Sequence, residues 1–126
     1  MQRYGRQGCR FMGSKDLSVL RKILQHIESI MRYCADCRTL EDFSSDTMRL
    51  EATVFNLMQI GELAKESLSD EAKAQIKTLP WQQIYGMRNR IVHGYSGVNM
   101  QIVWDTVSVD IPMLHKVLEP ITKTNS

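Results

Sequence analysis

A chain of 126 residues that is 43% hydrophobic and 24% charged has the balance of one globular domain, long enough to bury a core without disulfide or metal staples. Seven glycines and three prolines argue against a loop-rich β architecture, and no apolar run reaches membrane-span length. The net charge of +2 is carried by the start of the chain: from Asp16 onward the balance is mildly acidic, which excludes a general nucleic-acid-binding charge.

Residues 1–13, with three glycines and three arginines and no periodicity, are expected to form a disordered basic extension ahead of a helical domain spanning 14–126. The extension has arginines but no apolar segment, so no secretory signal is expected and the location inferred is cytoplasmic. An odd number of cysteines, three, fits a reducing compartment.

From Ser14, a candidate N-cap, Leu17, Leu20, Ile23, Leu24, Ile27, Ile30, Met31 and Cys34 trace a helical stripe. The stretch CRTLEDFSSD then reads as a turn. A second long helix is predicted from about Ser45 to Ser67, with a stripe of Met48, Ala52, Phe55, Met58 and Leu63, widened by Val54, Leu57 and Ile60. Ser69 is placed to cap a short helix over DEAKAQIK. Pro80 suits the first turn of a fourth helix marked by Trp81, Ile84, Met87, Ile91 and Val92, which Gly94 would end. Ile102, Val103, Val107, Ile111, Leu114, Leu118 and Ile121 mark a last helix, in which Pro112 should produce a kink or a break. The fold class expected is all-α, an up-and-down bundle of four to five helices.

Most polar motifs have an unremarkable reading. Cys34 and Cys37 form a C-x-x-C, but a zinc site wants about four ligands and no second cluster is present, so they read as free thiols. His26 and His115 stand singly on long helices. Gly61 costs about 1 kcal/mol inside a helix relative to alanine, which signals close packing there. The alternative reading is that its neighbour Glu62 faces the cationic segment and orients Arg88.

That segment is GMRNRIVHGYSG, residues 86–97. No carboxylate occurs between Glu71 and Asp105, whereas Lys73, Lys77, Arg88 and Arg90 all do. Arg88 and His93 lie about 140° apart around an ideal helix, yet arginine is long enough to reach the helix end. The helix dipole favours the imidazolium of His93 by up to ~2 kcal/mol, while Arg88 and Arg90 favour the neutral ring. A histidine under opposed influences can titrate near neutrality, as a general acid or base must. Arg88 offers a planar fork for phosphate oxygens and Asn89 a neutral donor beside it. This suits phosphodiester chemistry without a metal or other cofactor. The residues alone leave open a second reading, a capped cationic helix end.

The segment resembles the Arg-x4-His-x-Tyr signature of HepT toxins, a branch of the HEPN superfamily, as Arg88, His93 and Tyr95 with the polar Asn89 after the arginine. The likeness extends through RLEATVFNLMQIGELAKESLSDEAKAQI and LPWQQIYGMRNRIVHGYSGVNMQIVWDTVSVDIPMLHKVLEPI and covers about residues 14–121. Gly94, where family members often carry a larger residue, and the basic extension depart from the pattern. The resemblance implies a homodimer whose paired motifs meet in a cleft, and metal-independent endoribonuclease activity on RNA. His93 would move protons, Arg88 would stabilise the scissile phosphate, and Asn89 would position it, with Glu62 and Arg90 in support. It also implies a partner, an MntA-type nucleotidyltransferase antitoxin that adenylylates Tyr95. A different class of function within the same resemblance is a non-enzymatic subunit that presents substrate to a partner nucleotidyltransferase.

Overall fold

The computed structural model describes residues 12–86 and 99–124, and among them every regular element is a helix. Helix α1 spans Ser14–Tyr33, α2 Leu40–Ser44, and α3 Thr47–Glu62 with a π-helical turn Leu63–Ser67 as its last turn. Helix α4 is Asp70–Gln75, and α5 begins at residue 81 and is described to residue 86. Helix α6 runs from Met100 to Thr124, with its middle turn, Thr106–Asp110, in π geometry.

The expected all-α bundle is present, with α1 at its centre, packed against both α3 and the second half of α6. Leu17, Leu20, Ile23, Leu24, Ile27 and Ile30 are all buried, as the period of the sequence predicts. Helices α1 and α3 run antiparallel. Arg49 near the start of α3 reaches the carbonyl of Tyr33 at the end of α1, while Asp16 at the start of α1 meets Ser69 beyond the end of α3. Phe43 of α2 and Trp104 of α6 meet with ring centroids 5.5 Å apart, closing the end of the bundle where α1 finishes.

Caps explain most of the boundaries. Thr39, Asp46, Ser69 and Asn99 each accept a backbone N–H of the first turn of α2, α3, α4 and α6. Ser14, in contrast to its expected role, is the first helical residue of α1. The extended backbone lies at Gly13, whose carbonyl receives Leu17 N–H at 3.0 Å. Met12 is also buried in the core, so ordered packing starts inside the stretch assigned to the extension. Ser69 does double duty: its hydroxyl caps α4 and donates to Asp16 at 2.6 Å, and its N–H donates to the same carboxylate at 2.9 Å.

Two further sequence expectations differ from the structure. CRTLEDFSSD is not only a turn: it contains α2, whose Phe43 is completely buried. Of the broad apolar face expected on α3, Val54, Leu57 and Ile60 are buried and Met58 and Leu63 pack against the core, but Met48 and Phe55 face outward. Met48 and Phe55 are 81% and 56% exposed, whereas Thr53, Val54, Asn56, Leu57, Ile60 and Gly61 are buried. Two polar side chains turn inward there because partners wait across the interface. Asn56 accepts from His26 Nδ1 at 2.7 Å and donates to the Ala52 carbonyl at 2.7 Å, while Thr53 lies 3.7 Å from Cys34 Sγ. The kink or break expected at Pro112 takes the form of an irregular turn: the π turn Thr106–Asp110 stands directly before Ile111 and Pro112, and the helix continues beyond it. That turn passes the chain on with Ile111 N–H bonded to the Thr106 carbonyl. This wider turn relieves the clash of a proline ring with the carbonyl four residues earlier. Pro120 lies inside the same helix as well.

Arg49 ties one end of the bundle together. It donates to the carbonyls of Tyr33 at 2.9 Å and Asp42 at 3.0 Å and to the Asp36 carboxylate at 3.2 Å. The Asp42 carboxyl is held below the usual carboxylate range, chiefly by the Arg38 backbone N–H it accepts.

Two stability measurements check this packing. Leu57→Ala, which empties a fully buried position, should cost about 2–5 kcal/mol in urea unfolding, and Met48→Ala no more than about 0.5 kcal/mol; the reverse order would overturn the inward face assigned to α3. Ser69→Ala removes the α4 cap and a donor to Asp16, and should cost about 0.5–2 kcal/mol.

Candidate active site

The cationic motif follows directly on α5, and the first turn of that helix is firmly anchored. Pro80 presents its carbonyl to Ile84 N–H at 3.0 Å, and Ile84 is buried. The Trp81 indole N–H is shared between the carbonyls of Lys73 and Ile76 at 3.1 and 3.0 Å. Both carbonyls also accept backbone N–H groups of the turn that follows α4, Lys73 from Ile76 at 3.2 Å and Ile76 from Leu79 at 3.3 Å, so the indole ties the end of α4 to the start of α5. α4 stops at Gln75, short of the eight residues its sequence suggests, because Ile76 leaves helical geometry. Lys73 Nζ of α4 sits 5.0 Å from the centroid of the Tyr85 ring of α5, a cation–π contact between the two helices.

On the far side of the motif, Asn99 accepts the N–H groups of Gln101 and Ile102 at 2.9 and 3.3 Å and starts α6. Arg88, Asn89, Arg90, His93 and Tyr95, the residues on which the sequence reading centres, lie outside the described residues, as do Met87, Ile91, Val92 and Gly94. Glu62 is described: it is half-buried at the last α-helical position of α3, directly before the π turn.

Between α5 and α6 there is a cleft of about 250 Å³, with Gln83 and Ile84 on one wall and Asp105, Thr106, Asp110 and Met113 on the other. The π turn of α6 supplies Thr106 and Asp110 to this wall. Thr106 spends its hydroxyl proton on the Ile102 carbonyl at 2.9 Å, and Asp105 accepts from Gln101 Nε2 at 2.8 Å. Two carboxylates disfavour a phosphate on this wall and favour cationic groups. Its chemistry is that of a surface which orients guanidinium or ammonium groups, not one that binds anions directly.

The cysteines behave as the sequence suggests. Both Cys34 and Cys37 are free and half-buried. Burial pushes each thiol up from its ordinary value, opposed in Cys34 by its contact with Thr53 and in Cys37 by the charge of Arg49. Neither is a ready nucleophile.

The histidines are less solitary than the sequence implies. His26 pairs with Asn56 of α3. Because the Asn56 amide nitrogen is committed to Ala52, its oxygen must accept, and His26 carries its proton on Nδ1. His115 of α6 approaches Glu28 of α1 at 3.2 Å. Among the described residues, Glu28, His115 and Glu119 are the one set of three potential metal donors that converge. No local pattern announces either contact, because the partners are 30 and 87 positions away.

The family model described as "Ribonuclease HepT-like" matches residues 23–121 of this chain. A protein of Caldanaerobacter subterraneus subsp. tengcongensis named "Putative RNase TTE0752" is 36% identical over 102 residues, 81% of this chain and 89% of that one. "Probable ribonuclease HepT" of Thermococcus cleftensis is 32% identical over 104 residues, 82% of this chain and 93% of that one. "Putative RNase MJ0127" of Methanocaldococcus jannaschii is 30% identical over 113 residues, 89% of this chain and 92% of that one. No solved structure matches the chain. The match spans most of the helical bundle, from α1 to the last turn of α6, and with these identities over most of both partners' lengths it shows that the chain belongs to the HepT-like family of the HEPN superfamily.

Proposed function

We propose that the chain is a metal-independent endoribonuclease toxin, neutralised when a partner nucleotidyltransferase adenylylates Tyr95. One observation carries the reading: Arg88, Asn89, His93 and Tyr95 stand together, intact, in a chain of this family, whose relatives are named ribonucleases. A purely presenting subunit has no need of that combination.

In this reading His93 takes the proton of a ribose 2′-hydroxyl, or gives one to the departing 5′-oxygen. The 2′-oxygen attacks the adjacent phosphorus, the bond to the 5′-oxygen breaks, and a 2′,3′-cyclic phosphate remains. Arg88 holds the phosphate through its fork and answers the charge that builds on the non-bridging oxygens. Asn89 positions the same group without adding charge, and Arg90 adds a second cation. Glu62, half-buried beside the end of α3, is assigned to orient Arg88.

A second copy of the chain completes the site, since one imidazole cannot at once accept the 2′ proton and donate to the leaving oxygen. Phe55 and Val109, 56% and 64% exposed, offer apolar surface for such a copy to cover. AMP on Tyr95 would set an anionic phosphate beside Arg88 and His93 and compete with RNA for both. The cytoplasm is the compartment assigned, where RNA and a nucleotidyltransferase are both at hand.

Incubation with RNA in EDTA tests the reaction. Cleavage should persist in chelator, fall by about 100-fold or more in His93→Ala and in Arg88→Ala, and be blocked by a 2′-deoxy substitution at the cut site. Equal activity in wild type and both variants would sink the assignment, and absence of cleavage in the wild type would favour the presenting-subunit reading. Neutralisation is checked separately by mass spectrometry after co-expression with the partner. AMP adducts are expected on Tyr95, and Tyr95→Phe should escape neutralisation while still cutting RNA; adducts elsewhere, or none, would remove this part of the reading.

A further inference from the structure

We propose that Glu28, His115 and Glu119 form a binding site for a divalent transition-metal ion of the zinc class, joining α1 to α6. His115 Nε2 lies 3.2 Å from Glu28 Oε2 and 3.9 Å from Glu119 Oε2, and one donor atom from each residue falls within 4.8 Å of the other two. Nitrogen and oxygen donors at the usual zinc distances of about 2.0–2.2 Å stand roughly 3.3–3.5 Å apart at the corners of a tetrahedron. The His115–Glu28 separation of 3.2 Å already matches that figure, and the His115–Glu119 separation of 3.9 Å is somewhat longer.

Without a metal ion the donors are paired one by one, Glu28 with His115 and Glu119 with Lys123. The Nε2 atom of a neutral imidazole holds either one proton or one lone pair, so it can serve a single carboxylate. Glu28 is at hydrogen-bond distance, whereas Glu119 at 3.9 Å is beyond it. Two carboxylates therefore converge on one imidazole edge, and the cation nearby is Lys123, 3.5 Å from Glu119 Oε2 and itself 73% exposed. A divalent ion would serve all three donors at once and match the charge of the two carboxylates.

The backbone beneath the donors is held in place. Ile27 and Ile30 flank Glu28, Leu114 and Leu118 flank His115 and Glu119, and all four are at most 2% exposed. His115 and Glu119, one turn apart, share a face of α6. The donor side chains themselves are 22–41% exposed, which leaves an entry path and room for a water as fourth ligand. The ion would act as a staple between two helices that sequence separates by more than eighty positions, and it is independent of the reaction assigned above.

Calorimetric titration of the chelator-stripped full chain with zinc chloride tests the site. One equivalent should bind, His115→Gln and Glu28→Gln should each weaken it at least tenfold while keeping a wild-type circular dichroism spectrum, and Cys34→Ser/Cys37→Ser should leave it intact. The melting temperature should rise in saturating zinc for the wild type and not for His115→Gln. The proposal is overturned if no heat of binding appears, if neither substitution in the triad changes the affinity, or if the cysteine double variant abolishes it.

Discussion

Burial of one apolar stripe, on α1, governs the rest of this molecule. Leu20, Ile27 and Ile30 are completely enclosed because α3 covers one side of the stripe and α6 the other. Each such side chain contributes about 1.5–3 kcal/mol, and among the described residues the contacts of α1 with α3 and with α6 are the most extensive between helices. α3 and α6 are consequently held at fixed positions on either side of α1. Short elements then close the ends: α2 with Phe43 at one, the α4–α5 junction with Trp81 at the other. Polar anchors follow the same plan. Arg49 joins α3 to the end of α1, and Asp16 joins the start of α1 to the start of α4.

Two π turns interrupt the regular geometry of that frame. An extra residue in a turn rotates everything after it relative to a regular α-helix. At the end of α3 the rotation lets Ala64 and Leu68 both face the core while Glu62 stays half-buried at the edge. In α6 the wide turn absorbs Pro112 and places Asp110 on the wall of the cleft next to α5.

Helix periodicity made α1 and α6 legible, because each has a single dense apolar stripe. α3 was ambiguous for a physical reason: it carries two. Met48, Ala52, Phe55 and Met58 recur at helical spacing as regularly as Val54, Leu57 and Ile60, and period alone cannot say which faces inward. The choice depends on Thr53 and Asn56, whose inward orientation makes sense only once Cys34 and His26 are seen opposite. α2 escaped notice because five residues are too few to show a period. Its signals were local instead: Thr39 as cap, Glu41 and Asp42 in the first turn, and one large apolar residue, Phe43.

Functional residues differ in how far they can be read from the chain because they differ in where their partners are. The group around Arg88 and His93 is contiguous, so its charge imbalance stands out in sequence, but charge alone describes a helix end as well as a catalytic pair. What separates the two is the order of blocks from α3 through α6, a property of the whole domain. The triad of Glu28, His115 and Glu119 is the opposite case. Its members are ordinary residues on two distant helices, and the packing of α1 against α6 brings them together. A contiguous motif can thus be read from the chain, while a cluster assembled by the core leaves no local trace. The same hydrophobic contact that makes α1 the centre of the fold makes the second kind of site possible.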